Sequence, residues 1–223
     1  MNDRLEMKLA DIVRKKSEKT SIREWIDVQA ESKLPLYNYR YDHVKEVVKL
    51  TKHLAEVTGA DREVATLAAW LHDYSKPGAR GVPNHGKSSA DAARRLLTEE
   101  EIDSVVIDRV CDVIEKHVGL TLEEPIQPLE AQILWDADKI VKLGIIGLLH
   151  FLVNGLKINP GLDLDGMARE IQEYIPLAEN IVESMNTDEG RALARSRLYT
   201  LKEISERLNQ ELDIADLLGD IGS

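Results

Sequence analysis

The sequence has little cysteine, little positive charge and no long hydrophobic run, and each shortage excludes a class of protein. Its one cysteine, Cys111, cannot form an internal disulfide, which is typical of a chain in a reducing cytoplasm. Lys and Arg number 29 against 40 Asp and Glu, and the net charge of −11 argues against a general binder of duplex DNA. Such a binder needs a positive surface to displace the counterions of the phosphates.

Signals for membranes and for secretion are also scarce. The longest apolar run, residues 140–153, carries Lys142 and His150 and is too short to span a bilayer. The segment MNDRLEMKLADIVRKK contains acidic residues and lacks the apolar stretch of a signal peptide. We therefore expect a cytoplasmic protein that does not bind a membrane. Its length and its 43% hydrophobic residues suffice for one domain with a real core.

Helical periodicity dominates the pattern. No segment alternates convincingly as a β-strand does, whereas apolar residues recur three and four positions apart. One such stripe predicts a helix over residues 42–58, and Asp61 is placed to cap a second helix that ends near His72 and Asp73. Residues 74–86, with two prolines and three glycines, predict a loop.

Further helices are expected before and after this region. The pairs Ser88 with Asp91 and Thr98 with Glu101 resemble capping boxes and predict two helix starts. Four more ranges show helical patterns: 3–32, 129–154, 163–186 and 188–212. The sequence thus predicts an all-α fold, with one compact domain and flanking helices.

The candidates for chemistry are the histidines, of which the chain has six. Imidazole and carboxylate ligands together suit divalent ions such as manganese, iron, nickel and zinc, and ligands at the ends of separate helices can converge on one pocket. A single histidine on a helix is more often a surface or core residue than a ligand. The interpretation therefore depends on the ordered set His43, His72, His85 and His117, followed by the carboxylates Asp136 and Asp138.

The order His43, then His72-Asp73 in LAAWLHDYSK, then Asp138 in ILWDADKI, resembles the HD-domain superfamily of metal-dependent phosphohydrolases. The resemblance implies an all-α HD-domain helical bundle in which these four side chains bind a divalent metal. Asp138 matches the superfamily's last aspartate because a basic residue follows it directly. Asp136 takes that role only if the register slips by two residues.

The resemblance also divides the chain into three parts. It covers about residues 36–155, for which we predict an HD metal-binding core. Residues 1–35 are the predicted N-terminal helical extension. Residues 156–223 are predicted to form C-terminal helices that pack on the core or on a partner subunit, and a homodimer is left open.

Two extra histidines, His85 and His117, resemble those of the subgroup that holds two metals bridged by the aspartate of His-Asp, here Asp73. Their contexts are similar to HD-type nucleotide pyrophosphatases and to hydrolases that split diadenosine tetraphosphate symmetrically. Each of the two is interpreted as a ligand or a substrate contact, with a structural role as the alternative. We interpret His53 as non-ligating and His150, in the run GLLHFL, as a buried core histidine.

The resemblance implies a hydrolase that splits a phosphoester or phosphoanhydride of a small, nucleotide-like substrate with a metal-activated water. The implied cofactor is one or two divalent ions of Mn, Fe, Ni, Co or Zn. The predicted catalytic residues are Asp73, Lys76 and His117. The predicted contacts for the substrate phosphate are Lys76, Arg80, Lys87 and Lys139.

Two other functions stay open at this point. A minority of HD proteins with the six-ligand order hold two irons and use oxygen to cleave a carbon bond. A degenerate HD domain can also serve as a non-catalytic signalling module. The second alternative is the weaker one, because no residue of the motif is missing here.

Overall fold

The computed structural model describes residues 3–25, 37–76, 85–158 and 161–213, with residues 157 and 158 described by their backbone alone. Within these ranges the chain forms nine α-helices and no strand, which confirms the all-α prediction. In order from α1 to α9 the helices are Asp3–Glu24, Tyr39–Thr58, Arg62–Leu71, His85–Glu99, Ser104–Glu115, Leu129–Ile140, Gly144–Ile158, Leu164–Glu183 and Asp188–Leu212.

Helix α3 is the central element of the bundle. Every residue from Val64 to Leu71 is buried, and the helix contacts α1, α2, α4, α5 and α6. A helix that is apolar on all sides is stable only when neighbours surround it. The predicted N-cap is confirmed, because the Asp61 side chain accepts hydrogen bonds from the amides of Glu63 and Val64. The C-terminal end of α3 therefore lies inside the protein.

The two predicted capping boxes are wrong. Helix α4 begins at His85, three residues before Ser88, and α5 begins at Ser104. The Thr98 hydroxyl donates to a carbonyl of its own helix at 2.8 Å, and the cap of α5 is Asp103, whose side chain accepts from Val105 N. Ser and Thr side chains can bond the helix that carries them as well as cap the next one, so the pattern alone is ambiguous.

The predicted long helix over 129–154 is interrupted. Helices α6 and α7 are bent by 64° at the break, where Gly144 has a positive φ of 67°. Other elements bond the freed carbonyl groups, since Arg197 donates to Ile140 O at 3.0 Å and the Tyr174 hydroxyl donates to Lys142 O at 3.2 Å. The bend separates α7 from the end of α6 and leaves a cavity beside Lys142.

The first and last helices share the core of the central ones. Leu5 and Leu9 of α1 and Leu201 of α9 are buried in the same hydrophobic cluster as α3. Helix α8 runs through Pro176 and pairs with α9, which also contacts α2, α6 and α7. The first helix was predicted over residues 3–32. In the structure α1 ends at Glu24, and residues 26–32 lie outside the described residues.

In the ranges given above, no single helix is long and apolar enough to cross a membrane. The bent pair Leu129–Ile140 and Gly144–Leu156 meets the length and composition criteria only when its two helices are taken together.

Candidate metal centre

Side chains from five helical elements meet in one place near the middle of the bundle. Helices α2 and α6 contribute one residue each, and the others come from the C-terminal end of α3, the first residue of α4 and the segment directly after α5. All four of the histidines are buried. This central cluster consists of the six predicted ligands His43, His72, Asp73, His85, His117 and Asp138.

Two of the histidines are oriented by carbonyl groups in the last turn of the helix that precedes them. Nδ1 of His72 lies 2.8 Å from Ala69 O, and Nδ1 of His117 lies 2.5 Å from Ile114 O. Because a carbonyl can only accept a hydrogen bond, we place a proton on Nδ1 of each ring, which leaves Nε2 as the atom that could bind an ion. In both rings Nε2 lies toward Asp73.

Asp73 lies between two pairs of histidines, with one oxygen toward each pair. Its Oδ2 is 3.7 Å from His72 Nε2 and 3.9 Å from His43 Nε2. Its Oδ1 is 3.3 Å from His117 Nε2 and 3.4 Å from His85 Nε2. The last two nitrogens are only 3.2 Å apart. Two groups of possible ligand atoms, each compact enough to surround one ion, therefore share the Asp73 carboxylate.

Asp138 lies beside the first of these pairs. Its Oδ1 is 3.1 Å from His43 Nε2 and 4.0 Å from His72 Nε2. Two ammonium groups contact the same carboxylate, because Lys142 Nζ is 2.6 Å from Oδ1 and Lys139 pairs with Oδ2. Burial raises the pKa of Asp138, but the two lysines outweigh it and hold that pKa well below its usual range. The carboxylate is therefore charged at neutral pH.

These side chains fit a divalent transition-metal ion. Nε2 of His72 is buried, and it has no hydrogen-bond partner among the residues that the structure describes. Burial lowers the pKa of His72 to about 3, so the ring is neutral and offers a lone pair. Burial also raises the pKa of Asp73, but His72 and Lys76 outweigh it and hold that pKa well below its usual range. A buried imidazole nitrogen without a partner costs free energy, and a metal ion beside two carboxylates removes that cost.

Lys139, predicted to contact the substrate, is directed into the protein. Its ammonium group pairs with Asp138, donates to His117 O at 2.9 Å and lies 4.1 Å from the centroid of the Trp135 ring. Only 1% of the residue is exposed. An ammonium group has three N–H donors, and three contacts occupy them. Lys139 thus holds two members of the central cluster in place, and its predicted contact with the substrate stays a prediction.

Of the other predicted phosphate contacts, Lys76 reaches the cluster, with its Nζ 2.9 Å from Asp73. Lys87 is exposed on α4, and Arg80 lies outside the described residues. Sequence reasoning missed Arg40, which lines a narrow cleft with Lys76 and Asp73. Within the described part of the chain, Arg40 Nε is buried without a hydrogen-bond partner. Arg40 lies about one helical turn before His43, and this position was the available signal.

His85 reaches His117 because α4 and the end of α5 approach each other closely at Gly86. A Cβ atom on Gly86 would lie 2.7 Å from a methyl carbon of Val118 and 3.1 Å from Glu115 O. The prediction of a loop at His85 is therefore wrong. This histidine is the first residue of a helix that packs against the element bearing its neighbour.

The two remaining histidines differ from each other. His53 is exposed on α2, away from the central cluster. His150 is buried, as predicted, but it also borders a cavity of about 260 Å³ between α7, α8 and the start of α2. Lys142 lines the same cavity and is a second residue that sequence reasoning missed. Its signal was its position four residues after Asp138, on the same helical face.

Asp136 is directed to a different part of the protein. Its two oxygens accept hydrogen bonds from the backbone and side chains of Asn186 and Thr187, at distances from 2.7 to 3.2 Å. These two residues lie in the connection between α8 and α9. A Cβ atom on Gly190 would lie 2.3 Å from Asp136 Oδ2, so only glycine allows this approach.

A family model described as HD domain matches residues 40–143, a range that contains the whole central cluster. This part of the chain, a little under half of its length, is therefore similar to an HD domain. Parts of two curated proteins are also similar. A tRNA (cytidine(56)-2'-O)-methyltransferase from Thermoplasma volcanium is 36% identical over 108 residues, which are 48% of this chain and 25% of that protein. Ribonuclease Y from Cutibacterium acnes is 41% identical over 64 residues, which are 27% of this chain and 12% of that protein. The matches thus span a quarter or less of these relatives.

Solved structures show the same fold over most of their length. A predicted HD superfamily hydrolase from an uncultured Thermotogales bacterium has a TM-score of 0.62 and 21% identity, with 92% of each chain covered. Bacillus subtilis YpgQ in complex with ADP has a TM-score of 0.63 and 21% identity, with 86% of this chain and 98% of that chain covered.

Proposed function

We propose that the protein is a metal-dependent phosphohydrolase that splits a phosphoester or phosphoanhydride bond of a small nucleotide. The observation that carries the proposal is the position of Asp73, with one oxygen toward each of two histidine pairs. A carboxylate shared in this way suits two metal ions at one centre, which is typical of enzymes that displace groups at phosphorus.

The two groups of ligand atoms suggest how the ions would be held. His43, His72 and Asp138 would hold one ion with the nearer oxygen of Asp73. His85 and His117 would hold the other with the second oxygen of the same carboxylate. Bound divalent ions lower the pKa of water toward ~7 and polarise phosphoryl oxygens.

The remaining residues supply charge and orientation. Lys76 and Lys142 carry ammonium groups next to the two carboxylates, and a phosphate that enters the cluster gains their attraction despite the net charge of −11. The guanidinium of Arg40, in the cleft beside Lys76, adds a donor at the same edge. The carbonyls of Ala69 and Ile114 keep the two Nε2 atoms directed inward.

A nucleotide is the substrate class that the comparisons support best. Bacillus subtilis YpgQ, which shares this fold at 21% identity, was crystallised with ADP. The match to the HD domain supports a hydrolase, and the nucleotide is our extension of it.

Cleavage of a phosphodiester bond in RNA is the second candidate. It is favoured by the 64 residues that are 41% identical to Ribonuclease Y. The negative net charge opposes it, since affinity for a polynucleotide depends on neutralising its phosphates.

The test is a screen of the full chain loaded with manganese, nickel, cobalt, zinc or iron. The panel contains mononucleotides, dinucleoside polyphosphates, a short RNA and a generic phosphoester, and the readouts are phosphate release and oxygen consumption. We expect hydrolysis of a nucleotide, loss of it in His72→Ala, and full activity in the matched control His53→Ala. Oxygen consumption without phosphate release would instead support the di-iron oxygenase, and cleavage confined to RNA would support the second candidate.

A further inference from the structure

A cavity of about 260 Å³ lies between α7, α8 and the start of α2, beside the central cluster. This volume is just below the range of roughly 300–1,000 Å³ that is typical of pockets for drug-sized ligands. Three of the ten described residues that line it are Tyr or Phe, although only 4% of the residues of the chain are aromatic. Size and lining together favour one small ring as the ligand.

The aromatic side chains of the lining come from α2, α7 and α8 and form two pairs. The rings of Tyr39 and His150 meet edge to face, with their centroids 4.9 Å apart. Those of Phe151 and Tyr174 stack, with their centroids 5.6 Å apart. Tyr39, Phe151 and Tyr174 are only half-buried, so part of each side chain is accessible to a ligand. Accessible aromatic groups favour a flat, polarisable partner.

The charges around the cavity favour a neutral ligand. Lys142 lines it with an ammonium group, which pairs with Asp138 Oδ1 at 2.6 Å, and Glu170 lines it with a carboxylate. Burial lowers the pKa of His150, so that this ring is neutral at pH 7 and adds no charge. Because the lining carries one charge of each sign, neither an anion nor a cation gains attraction from it overall.

Two glycines of α7 line the cavity, and packing explains only one of them. A Cβ atom on Gly147 would lie 2.2 Å from Lys142 O, so the close approach of α7 to the end of α6 requires glycine there. A Cβ atom on Gly155 would make only ordinary contacts, the nearest at 3.7 Å from Glu170 Oε2, and Gly155 has no positive φ. Glycine inside a helix is less stable than alanine. Gly155 thus lowers the stability of α7 at a position that borders the cavity and has room for a side chain.

We propose that this cavity is a binding site for one neutral, planar ring, and that Gly155 keeps the space for the ring open. The same chemistry describes the base of a nucleotide and a free aromatic molecule, and the experiment below separates these two sources. The α7 part of the site lies outside residues 40–143, the range that the HD family model matches. The inference goes beyond the proposed function, since it requires neither a metal ion nor hydrolysis.

The test uses the single phenylalanine of the chain as a reporter. In protein labelled at phenylalanine, the ring signal comes from Phe151 alone, which lines the cavity. Indole is the probe, because it is neutral, planar and free of phosphate. We expect a saturable shift of the Phe151 signal in an NMR titration of the full chain, with a Kd on the order of 1 mM. Absence of a saturable shift would overturn the proposal.

A second pair of probes tests the preference for a planar ring. Phenol and cyclohexanol have the same number of heavy atoms, but only the ring of phenol is flat and aromatic. Phenol should bind about two- to tenfold more tightly, as expected for one additional contact between aromatic rings. Equal affinities would contradict the role assigned to the aromatic walls.

Variants of Gly155 test the open space. Gly155→Leu should weaken indole binding about tenfold or more, because the added side chain takes up the volume of the ring. The matched control is Val153→Leu, which adds a leucine about 200° around α7, away from the cavity, and should leave the affinity unchanged. Gly155→Ala should raise the Tm by roughly 2–4 °C. A lower Tm in Gly155→Ala, or unchanged affinity in Gly155→Leu, would contradict the role of Gly155.

Adenosine, which carries a base but no phosphate, identifies the source of the ring. If the ring is the base of a nucleotide, adenosine shifts the Phe151 signal and displaces indole. If it is a separate aromatic molecule, adenosine does neither while indole still binds, and both results uphold the ring site. Failure of the proposed function reads differently, because indole binding would then persist although no nucleotide is hydrolysed.

Discussion

The two faces of α6 use the same residue type in opposite ways. Asp136 and Asp138 are both buried. Because they are two positions apart on a helix, their side chains point about 200° away from each other around the helix axis and face different surroundings. Asp138 is near imidazole nitrogens of the central cluster and two lysines. Asp136 accepts hydrogen bonds from the connection between α8 and α9.

The difference shows what makes a buried carboxylate available to a metal ion. Every contact of Asp136 is a hydrogen-bond donor held in place by the fold, so this carboxylate is satisfied without an ion. Asp138 instead lies among groups that include an imidazole nitrogen, on His72, without a partner in the described structure. The surroundings, and not the aspartate itself, separate an anchor of the fold from a candidate ligand.

The largest expected effect comes from neutralising each aspartate in turn. Asp138→Asn should lower metal content and reduce hydrolysis by about 100-fold or more, since loss of an outer partner of a ligand alone costs 10- to 100-fold. Asp136→Asn should keep the metal content and the turnover of each folded molecule. Metal analysis and activity of the two purified variants check this, and the reverse result would mean that the motif is aligned two residues out of register.

The next largest effect is a change in the number of metal ions that the central cluster, on the Asp138 face of α6, binds per chain. We expect two ions per chain in the wild type and about one in His117→Ala, because the pair His43 and His72 remains beside Asp73. Gly86→Ala should have a milder effect of the same kind, since its Cβ would push His85 away from His117. Metal analysis under excess metal measures both ratios. A wild-type ratio that stays at one ion per chain contradicts the proposal that two ions share the Asp73 carboxylate.

On the other face, the expected effect is on stability. Asp136→Ala leaves several donors of Asn186 and Thr187 unpaired, which should cost on the order of 3 kcal/mol. For a chain of this length the Tm should fall by roughly 6–12 °C. Calorimetry of the metal-free proteins measures this. Gly190→Ala is the companion variant, and a Tm unchanged in both would contradict the anchoring role of Asp136.

The smallest expected effect is a difference in pH dependence. The pKa of Asp138 is held below its unfolded value of about 3.9, so its charge stabilises the fold above that pH and the contribution is lost as the pH falls through the folded value. Burial outweighs the hydrogen bonds of Asp136 and raises its pKa, so its ionisation opposes folding and the cost shrinks as the pH falls toward 3.9.

These opposite signs can be measured with the metal-free proteins. The free energy of unfolding of the wild type, minus that of each Asn variant, is followed by urea denaturation from pH 3 to 7. The difference should fall with falling pH for Asp138→Asn and rise for Asp136→Asn, with a slope of at most about 1.4 kcal/mol per pH unit. Slopes of equal sign would show that the two carboxylates have similar surroundings.

Local patterns predicted the helices best where one residue decides the structure. Asp61 caps α3 as expected, since a side-chain acceptor at that position satisfies amides that a helix leaves free. The capping pairs at Ser88 and Thr98 failed because a hydroxyl can also bond within its helix. The break at Gly144 was missed because the apolar run continues across it, and the bend depends on contacts from α8 and α9.

The sequence by itself determined the all-α class and the six residues of the central cluster, because residue type and order along the chain carry both. It also contained the means to orient two histidines, since each follows a helix end whose carbonyls need a donor. Only the tertiary structure decided that Lys139 points inward, that Asp136 anchors the last helices, and that an aromatic cavity adjoins the cluster. These features depend on which distant segments meet, and short-range periodicity contains no information about those distances.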